Sequence, residues 1–397
     1  MSKRYPSGFV SAFYDPLKNP DAPTIGTATA GDASASVTFT APSNVGGSAI
    51  SEYYAISDPS RITASAASSP INVTGLTNGT PYTFQVWALN TYGPSAFSAA
   101  SNSVTPAQLQ RGVYGGGSSN VMDYINIAST GNATDFGDML ESTRLYGAFG
   151  STTRGVFAGG NESLRRIQYI TFTTTGNATN FGSLSKDMKN GIGGCNNSTR
   201  GIVGGGYTTT YDAQLEYVTI ASAGNSVSFG NLTTARYGVS ACSSPTRGVW
   251  GGGESSGGFT NILDYVTIAS AGSATDFGDL LTVARDTAAC SSSTRGLFAG
   301  NMTEPGGEPY FNVIQYITIA STGNAIDFGD LTAATASHGA CSSATRATFG
   351  GGLVASLNTN VISYVTIAST GNAIDFGDLT VARSQLGACS SSNGGLQ

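Results

Sequence analysis

Leu386-Gly387-Ala388-Cys389-Ser390-Ser391 is a strand-like run of small residues, and it is the sixth of its kind in this 397-residue chain. Four of its equivalents hold Cys195, Cys242, Cys290 and Cys341, and the remaining one has Phe149 at the cysteine position. Each of those five runs on into an arginine-led strand, at Arg154, Arg200, Arg247, Arg295 and Arg346. A sixth such strand begins at Arg111 and has no small-residue strand before it, just as the Cys389 strand has no arginine strand after it. A tyrosine strand recurs at Tyr124, Tyr169, Tyr217, Tyr265, Tyr316 and Tyr364, spaced 45, 48, 48, 51 and 48 residues. A Phe-Gly step follows each, at Phe136, Phe181, Phe229, Phe277, Phe328 and Phe376. Repeats of this period mean a propeller or a solenoid. Four strand types, each present six times but in permuted order, favour a closed ring. Pairing the Cys389 strand with the Arg111 strand completes the broken unit and removes two exposed sheet edges. The expectation is an all-β protein whose residues 108–397 form a six-bladed β-propeller.

Composition agrees. The chain is 40% hydrophobic and only 11% charged, with 54 glycines, which suits short strands and tight turns rather than charge-decorated helices. A net charge of −6 argues against nucleic acid, whose recognition requires a basic patch. No apolar run reaches the roughly 18 residues of a membrane span. The first residues lack the apolar core of a secretory signal, so synthesis in the cytoplasm without export is expected. One cysteine per repeat predicts buried free thiols that pack as small hydrophobes. Disulfides would need shorter separations, and a metal ring would need paired cysteines and a sixth ligand where Phe149 stands.

Two segments precede the repeats. Residues 1–20 carry Arg4, Tyr5, Phe9, Phe13 and Tyr14 among three prolines, an aromatic density that fits a docking peptide ordering on a partner. Residues 21–107 alternate as strands at Ser36 to Thr40, Tyr53 to Ile56, Ile71 to Val73 and Tyr82 to Ala88, separated by turn signals such as Asn78-Gly79. With Ala22-Pro23, Phe39-Thr40-Ala41-Pro42 and Thr74-Gly75-Leu76-Thr77-Asn78-Gly79-Thr80-Pro81-Tyr82, this segment resembles a fibronectin type III domain. The resemblance implies a β-sandwich in which Tyr82 makes a tyrosine corner and Phe39 stands in for the usual core tryptophan.

The repeat resembles a kelch unit through Val249-Trp250-Gly251-Gly252, Tyr265, Phe277-Gly278 and Arg285. It departs from the pattern in having Phe-Gly in place of a tryptophan turn. Its arginine before the next blade, present at Arg144, Arg236, Arg285 and Arg383, is missing from two units. As a whole, with a Ser-Lys-Arg-Tyr-Pro-Ser-Gly-Phe leader at Ser2 to Phe9, the chain resembles virion proteins of tailed phages of marine bacteria, cyanophages in particular. That resemblance implies a tail fibre or spike-type adhesin on the virion exterior, in several copies, anchored to other virion proteins through residues 1–20. A capsid decoration protein is the alternative, and a polysaccharide-degrading spike ranks third.

Catalytic chemistry has little to draw on. His338 is the one histidine and reads as a variable residue entering a small-residue strand. The repeated Asp-Phe-Gly-Asp motif, at Asp135/Asp138, Asp276/Asp279, Asp327/Asp330 and Asp375/Asp378, reads as a structural turn with aspartate capping backbone amides. It does not have the single carboxylate pair of a glycosidase or the alternating ligands of a calcium loop. Gly115 to Gly117, Gly204 to Gly206 and Gly251 to Gly253 precede no Gly-Lys-Ser/Thr and no helix, so they are not phosphate loops. They are expected to let strands pack closely near the axis. The expectation is no enzyme, no cofactor and no metal. Variation concentrates between the glycine run and the tyrosine strand, where the loops hold 6, 8, 10, 11, 15 and 11 residues. Binding is usually grafted onto such loops. The candidate residues are Tyr207 and Tyr211, Glu254 and Phe259, and Glu304, Glu308, Tyr310 and Phe311. Aromatic faces beside carboxylates suit a host-surface glycan.

Overall fold

The computed structural model describes residues 17–144, 147–161, 165–188, 190–303 and 309–396. Arg4, Tyr5, Phe9, Phe13 and Tyr14 of the expected docking peptide, and Glu304 and Glu308, lie outside them. The protein is all-β, 51% strand and 1% helix, and divides into two compact units between Leu109 and Gln110.

In the first unit a three-stranded sheet (Thr24–Gly31, Ser34–Thr40, Ile71–Thr74) and a four-stranded sheet (Thr63–Ala66, Glu52–Asp58, Thr83–Asn90, Gly93–Pro94) supply one core. Alternation is clean, as half-buried sheets require. Val37 and Phe39 face in from one sheet, Phe84, Val86 and Ala88 from the other. Phe39 packs on Tyr53 with ring centroids 4.6 Å apart. The buried Tyr82 accepts a hydrogen bond at its hydroxyl from the Thr77 N–H, 3.1 Å away.

The second unit contains six four-stranded antiparallel sheets. Sheet II runs Gly147–Gly150, Arg154–Ala158, Arg166–Thr171, Thr179–Ser183. Sheet III is Gly193–Asn196, Arg200–Gly204, Gln214–Thr219, Val227–Asn231. Sheet IV is Ser240–Ser243, Arg247–Gly251, Ile262–Thr267, Thr275–Asp279. Sheet V is Ala288–Ser291, Arg295–Met302, Tyr310–Thr318, Ile326–Asp330. Sheet VI is Gly339–Ser342, Arg346–Gly350, Val361–Thr366, Ile374–Asp378. Sheet I takes three strands from one end of the unit, Arg111–Gly116, Ser119–Asn126 and Thr134–Thr143, and its first strand, Leu386–Ser390, from the other. Cys389 pairs with Val113 and Leu386 with Gly116, the register in which Cys290 pairs with Leu297 in sheet V.

The same contacts recur at every junction. First strands touch in cyclic order, II to III, IV, V, VI, I and back to II. The thiols of Cys195, Cys242, Cys341 and Cys389 lie against Gly248, Gly296, Gly112 and Gly155 of the following sheet, where an added Cβ would come within 2.4 to 3.0 Å of sulfur. All five cysteines are buried and free, and burial raises their pKa. The leading arginine of each second strand stacks on its sheet's tyrosine, 4.2 Å to the ring centroid for Arg111 and 4.6 Å for Arg247. Each also donates to a carbonyl of the next sheet, Arg200 to Ile268 at 2.9 Å and Arg346 to Ile127 at 2.9 Å. That tyrosine meets the following phenylalanine edge-on in all six sheets, a favoured aromatic geometry.

One expectation needs correction. Asp-Phe-Gly-Asp is not a turn: it is the fourth strand, shifted in register around its glycine, with φ of +143° at Gly278. Its amide is capped from the next sheet, Asp279 N–H to Asn324 Oδ1 at 3.0 Å and Asp378 N–H to Asn132 Oδ1 at 3.1 Å. The asparagine of Gly-Asn-Ala therefore supplies the cap, across the junction. The glycine runs do allow close packing, since a Cβ at Gly204 would come within 2.2 Å of Leu215 in the paired strand and one at Gly251 within 2.6 Å of Phe298 in the next sheet, and they also carry the chain out of the second strand. Gly205 (+78°) and Gly252 (+67°) have left-handed φ values, which side chains other than glycine rarely adopt.

Candidate functional site

Four of the loop residues expected to bind are brought together at one place in the second unit. Glu254-Ser255 and Gly258-Phe259 form a two-stranded hairpin after the glycine run of sheet IV. Tyr207 and Tyr211 form a bridge in the loop of sheet III, their rings 5.1 Å apart and edge-on. Two residues from the connections between sheets join them, neither foreseen as a site residue. Tyr237, between sheets III and IV, has its ring 5.6 Å from Tyr207 and 5.9 Å from Tyr211. Arg285, between sheets IV and V, lies 5.2 Å from the Tyr237 ring and 5.0 Å from the Phe259 ring.

Glu254 holds the group together. Its Oε1 accepts from the Tyr211 hydroxyl at 3.3 Å and its Oε2 from the Tyr237 hydroxyl at 3.0 Å. The Arg285 guanidinium pairs with Oε2 and also donates to the Tyr237 hydroxyl at 2.5 Å. Burial pushes the Tyr237 phenol up to about 12. Burial also works against the charge of Arg285, but Asp286, Tyr237 and Glu254 outweigh it and raise its pKa. With both carboxylate oxygens occupied, Glu254 is arranged to orient its neighbours. The half-exposed rings and hydroxyls can stack on an apolar face and exchange hydrogen bonds with a hydroxylated ligand.

Tyr310 and Phe311 lie further along the same loop set. They pair with Met302 and Asn301, and Met302 Sδ accepts from Arg285 at 3.1 Å. The Tyr310 hydroxyl is 3.4 Å from that of Ser356, in the loop of sheet VI. Among the described residues no group of three or more His, Cys, Asp or Glu side chains could hold a metal ion.

Residues 21–104 match the model of the fibronectin type III domain, and the two-sheet core and the Tyr82 corner are its features. The chain carries a fibronectin type III domain. The fibronectin type III domain also displays stacked rings, Tyr54 on Trp87 at 5.1 Å and Phe97 edge-on to Trp87 at 5.2 Å. No curated protein matches the chain.

His338 precedes the first strand of sheet VI. It is 5% exposed, and among the described residues neither ring nitrogen has a hydrogen-bond partner. Burial lowers its pKa to about 4, so the folded protein holds it neutral at pH 7. Its ring is edge-on to Phe349 at 5.9 Å, and the carboxylates sharing its surrounding cavities are Asp286 and Asp375. Unfolded histidine takes up its proton near pH 6.5 and this one only near pH 4, so stability is complete above pH 6.5 and is lost as the pH falls from 6.5 to 4. The difference corresponds to roughly 3 kcal/mol at about 1.4 kcal/mol per pH unit. Urea titrations at several pH values should show this slope in the wild type and its absence in His338→Phe; parallel slopes would refute the assignment.

Proposed function

We propose that the chain is a phage virion protein, a tail fibre or spike-type adhesin whose second unit is a closed, six-bladed kelch-like propeller presenting a glycan-recognition face. Support for the closed propeller comes from three cyclic sets of contacts. These are the touching first strands, the arginine bonds to carbonyls of the next sheet, and the amide bonds that continue from sheet VI to sheet I, such as Gly131 N–H to Phe376 O at 2.8 Å. The resemblance of the Ser2 to Phe9 leader and of the repeats carries the virion reading.

The observation that most favours recognition is the Tyr207–Tyr211–Tyr237–Glu254–Arg285 cluster. Its residues come from the loops and connections that vary between repeats, while the framework of arginine, tyrosine and phenylalanine stays constant. Aromatic faces beside hydroxyl and guanidinium donors are the chemistry that sugars meet, and many copies on one particle would multiply weak contacts.

The test is adsorption of the purified protein to host cells and to their isolated surface polysaccharide. Tyr211→Ala is expected to weaken adsorption about tenfold, the equivalent of one ring contact of about 1.4 kcal/mol, with an unchanged melting temperature. Adsorption that ignores this substitution would remove the cluster from recognition. Unaltered particle incorporation after deletion of residues 1–20 would remove the docking role, and display across the capsid lattice would favour decoration.

A further inference from the structure

Six equivalent junctions link the sheets, and in five of them one long side chain fills the same place. It comes from the residue before the tyrosine of the third strand and caps the backbone N–H four residues after the Phe-Gly phenylalanine of the previous sheet. Gln168 accepts from Leu140 at 2.9 Å, Glu216 from Ser185 at 2.9 Å and Asp264 from Thr233 at 3.2 Å. Gln315 accepts from Leu281 at 2.8 Å and Asp123 from Thr380 at 3.2 Å. Every cap is a carboxylate or carboxamide oxygen. At two junctions a buried guanidinium completes the filling, Arg236 on Asp264 and Arg383 on Asp123.

The junction between sheets V and VI has neither. The residue before Tyr364 is Ser363, and Thr335 occupies the position of Arg236 and Arg383, seven residues after the Phe-Gly phenylalanine. No hydrogen bond to Ser363 from the Thr332 N–H is seen among the described residues. Instead there is a cavity of about 370 Å³, lined by Leu331, Phe349, Val354, Thr332, Ser363 and His338 among others. That volume lies within the roughly 300–1,000 Å³ of small-molecule sites. Buried polar groups without partners are costly, and among the described residues both nitrogens of the 5% exposed His338 have none.

We propose that this cavity binds an acetamido group, with N-acetylhexosamine units of a glycan as the ligand class. The assignment of a glycan, though not of the acetamido site, rests on the adhesin reading above. The acetamido carbonyl takes the place of the Gln168 and Gln315 carboxamides and accepts from the Thr332 N–H. Its amide N–H is matched by acceptors at Ser363 Oγ and the unprotonated nitrogen of His338. Its methyl group suits the apolar walls made by Leu331, Phe349 and Val354, and Asp375, exposed beside Ser363, is left for sugar hydroxyls at the mouth.

The experiment is titration of the full chain with N-acetylglucosamine, N-methylacetamide and glucose, followed by calorimetry or NMR. The acetamido compounds are expected to bind, and glucose to bind at least tenfold more weakly. Ser363→Gln, which supplies the carboxamide from within, should lose acetamido binding tenfold or more and melt no lower than wild type. His338→Phe provides a second variant with the same expected loss should Ser363→Gln fail to fold. Wild-type affinity in either folded variant, no preference over glucose, or no binding by the wild type would each overturn the proposal. Adsorption to cells without acetamido binding would sink the cavity site and spare the adhesin, and the converse result would do the reverse.

Discussion

Truncation after Gln385 is expected to abolish cooperative folding of the second unit while the fibronectin type III domain still melts normally. The segment removed contributes five strand pairings, from Leu386 with Gly116 to Ser390 with Gly112. Its loss strips the Arg111–Gly116 strand of its partner and opens the cycle on both sides, because the Leu386–Ser390 strand touches the first strands of sheets II and VI. Cys389 fills the space over Gly155, and Tyr114, buried beside this strand, keeps a hydroxyl bond to Thr348 of sheet VI at 2.8 Å. Beyond the strand, Asn393 bonds to Asn196 at 3.2 Å and to Gly150 O at 3.3 Å, tying three sheets together. The ladder bonds of these pairings at about 1 kcal/mol each, with the newly exposed apolar surface, amount to a large share of the roughly 5–15 kcal/mol that stabilises an ordinary domain. Calorimetry of the truncated chain should show one transition instead of two. A synthetic peptide of the missing residues should restore the second, as a strand added in trans. Two unchanged transitions would refute the role assigned to this strand.

The permuted strand was legible because period and strand type are properties of the chain itself. Six tyrosines at near-constant spacing, and Cys389 in the context of Cys290, specify which strand is absent beside Arg111 before any contact is known. Tyr207, Tyr211, Glu254 and Phe259 could be singled out for a similar reason, since loop length and composition vary where the framework does not. What escaped was through-space. Asp-Phe-Gly-Asp has the composition of a turn, and only the ladder distinguishes a bulged strand from one. The cap on its amide comes from an asparagine about 40 residues further along, Asn177 for Asp138. Tyr237 and Arg285 were missed because they sit in connections, not in the variable loops. Yet both occupy the position eight residues after the Phe-Gly phenylalanine, where Ala336 and Ser384 are small. Arg144 and Lys189 are large at that position too, so size alone singles out neither residue. The cavity beside His338 needed two small residues, Thr335 and Ser363, to be recognised as partners, and they are 28 residues apart with no mark on either.

Arg236→Ala is expected to cost about 3–5 kcal/mol, the usual penalty for leaving a buried charge without its partner. Arg236 and Asp264 are both 0% exposed in their side chains and 2.9 Å apart. Burial lowers the arginine's pKa, and Asp264 opposes that shift. Arg236 Nη1 also satisfies the Ile262 carbonyl at 2.9 Å, and Asp264 takes the Thr233 hydroxyl at 2.6 Å. Removing the guanidinium leaves the carboxylate with donors on one side only. The protein itself contains a neutral solution to the same packing problem: at the next junction Ala284 and Gln315 stand in these two positions, and Gln315 caps the Leu281 N–H. Arg236→Ala combined with Asp264→Gln should therefore recover most of the loss. The single variant should melt about 10 °C lower, at roughly 2–4 °C per kcal/mol for a unit of this size. The double variant should come within a few degrees of wild type, giving a large favourable coupling in a double-mutant cycle. Additive losses, with the double variant the least stable, would mean that the pair is not interchangeable with the Ala–Gln filling. The equivalence of the six junctions, on which the cavity site also depends, would then fail.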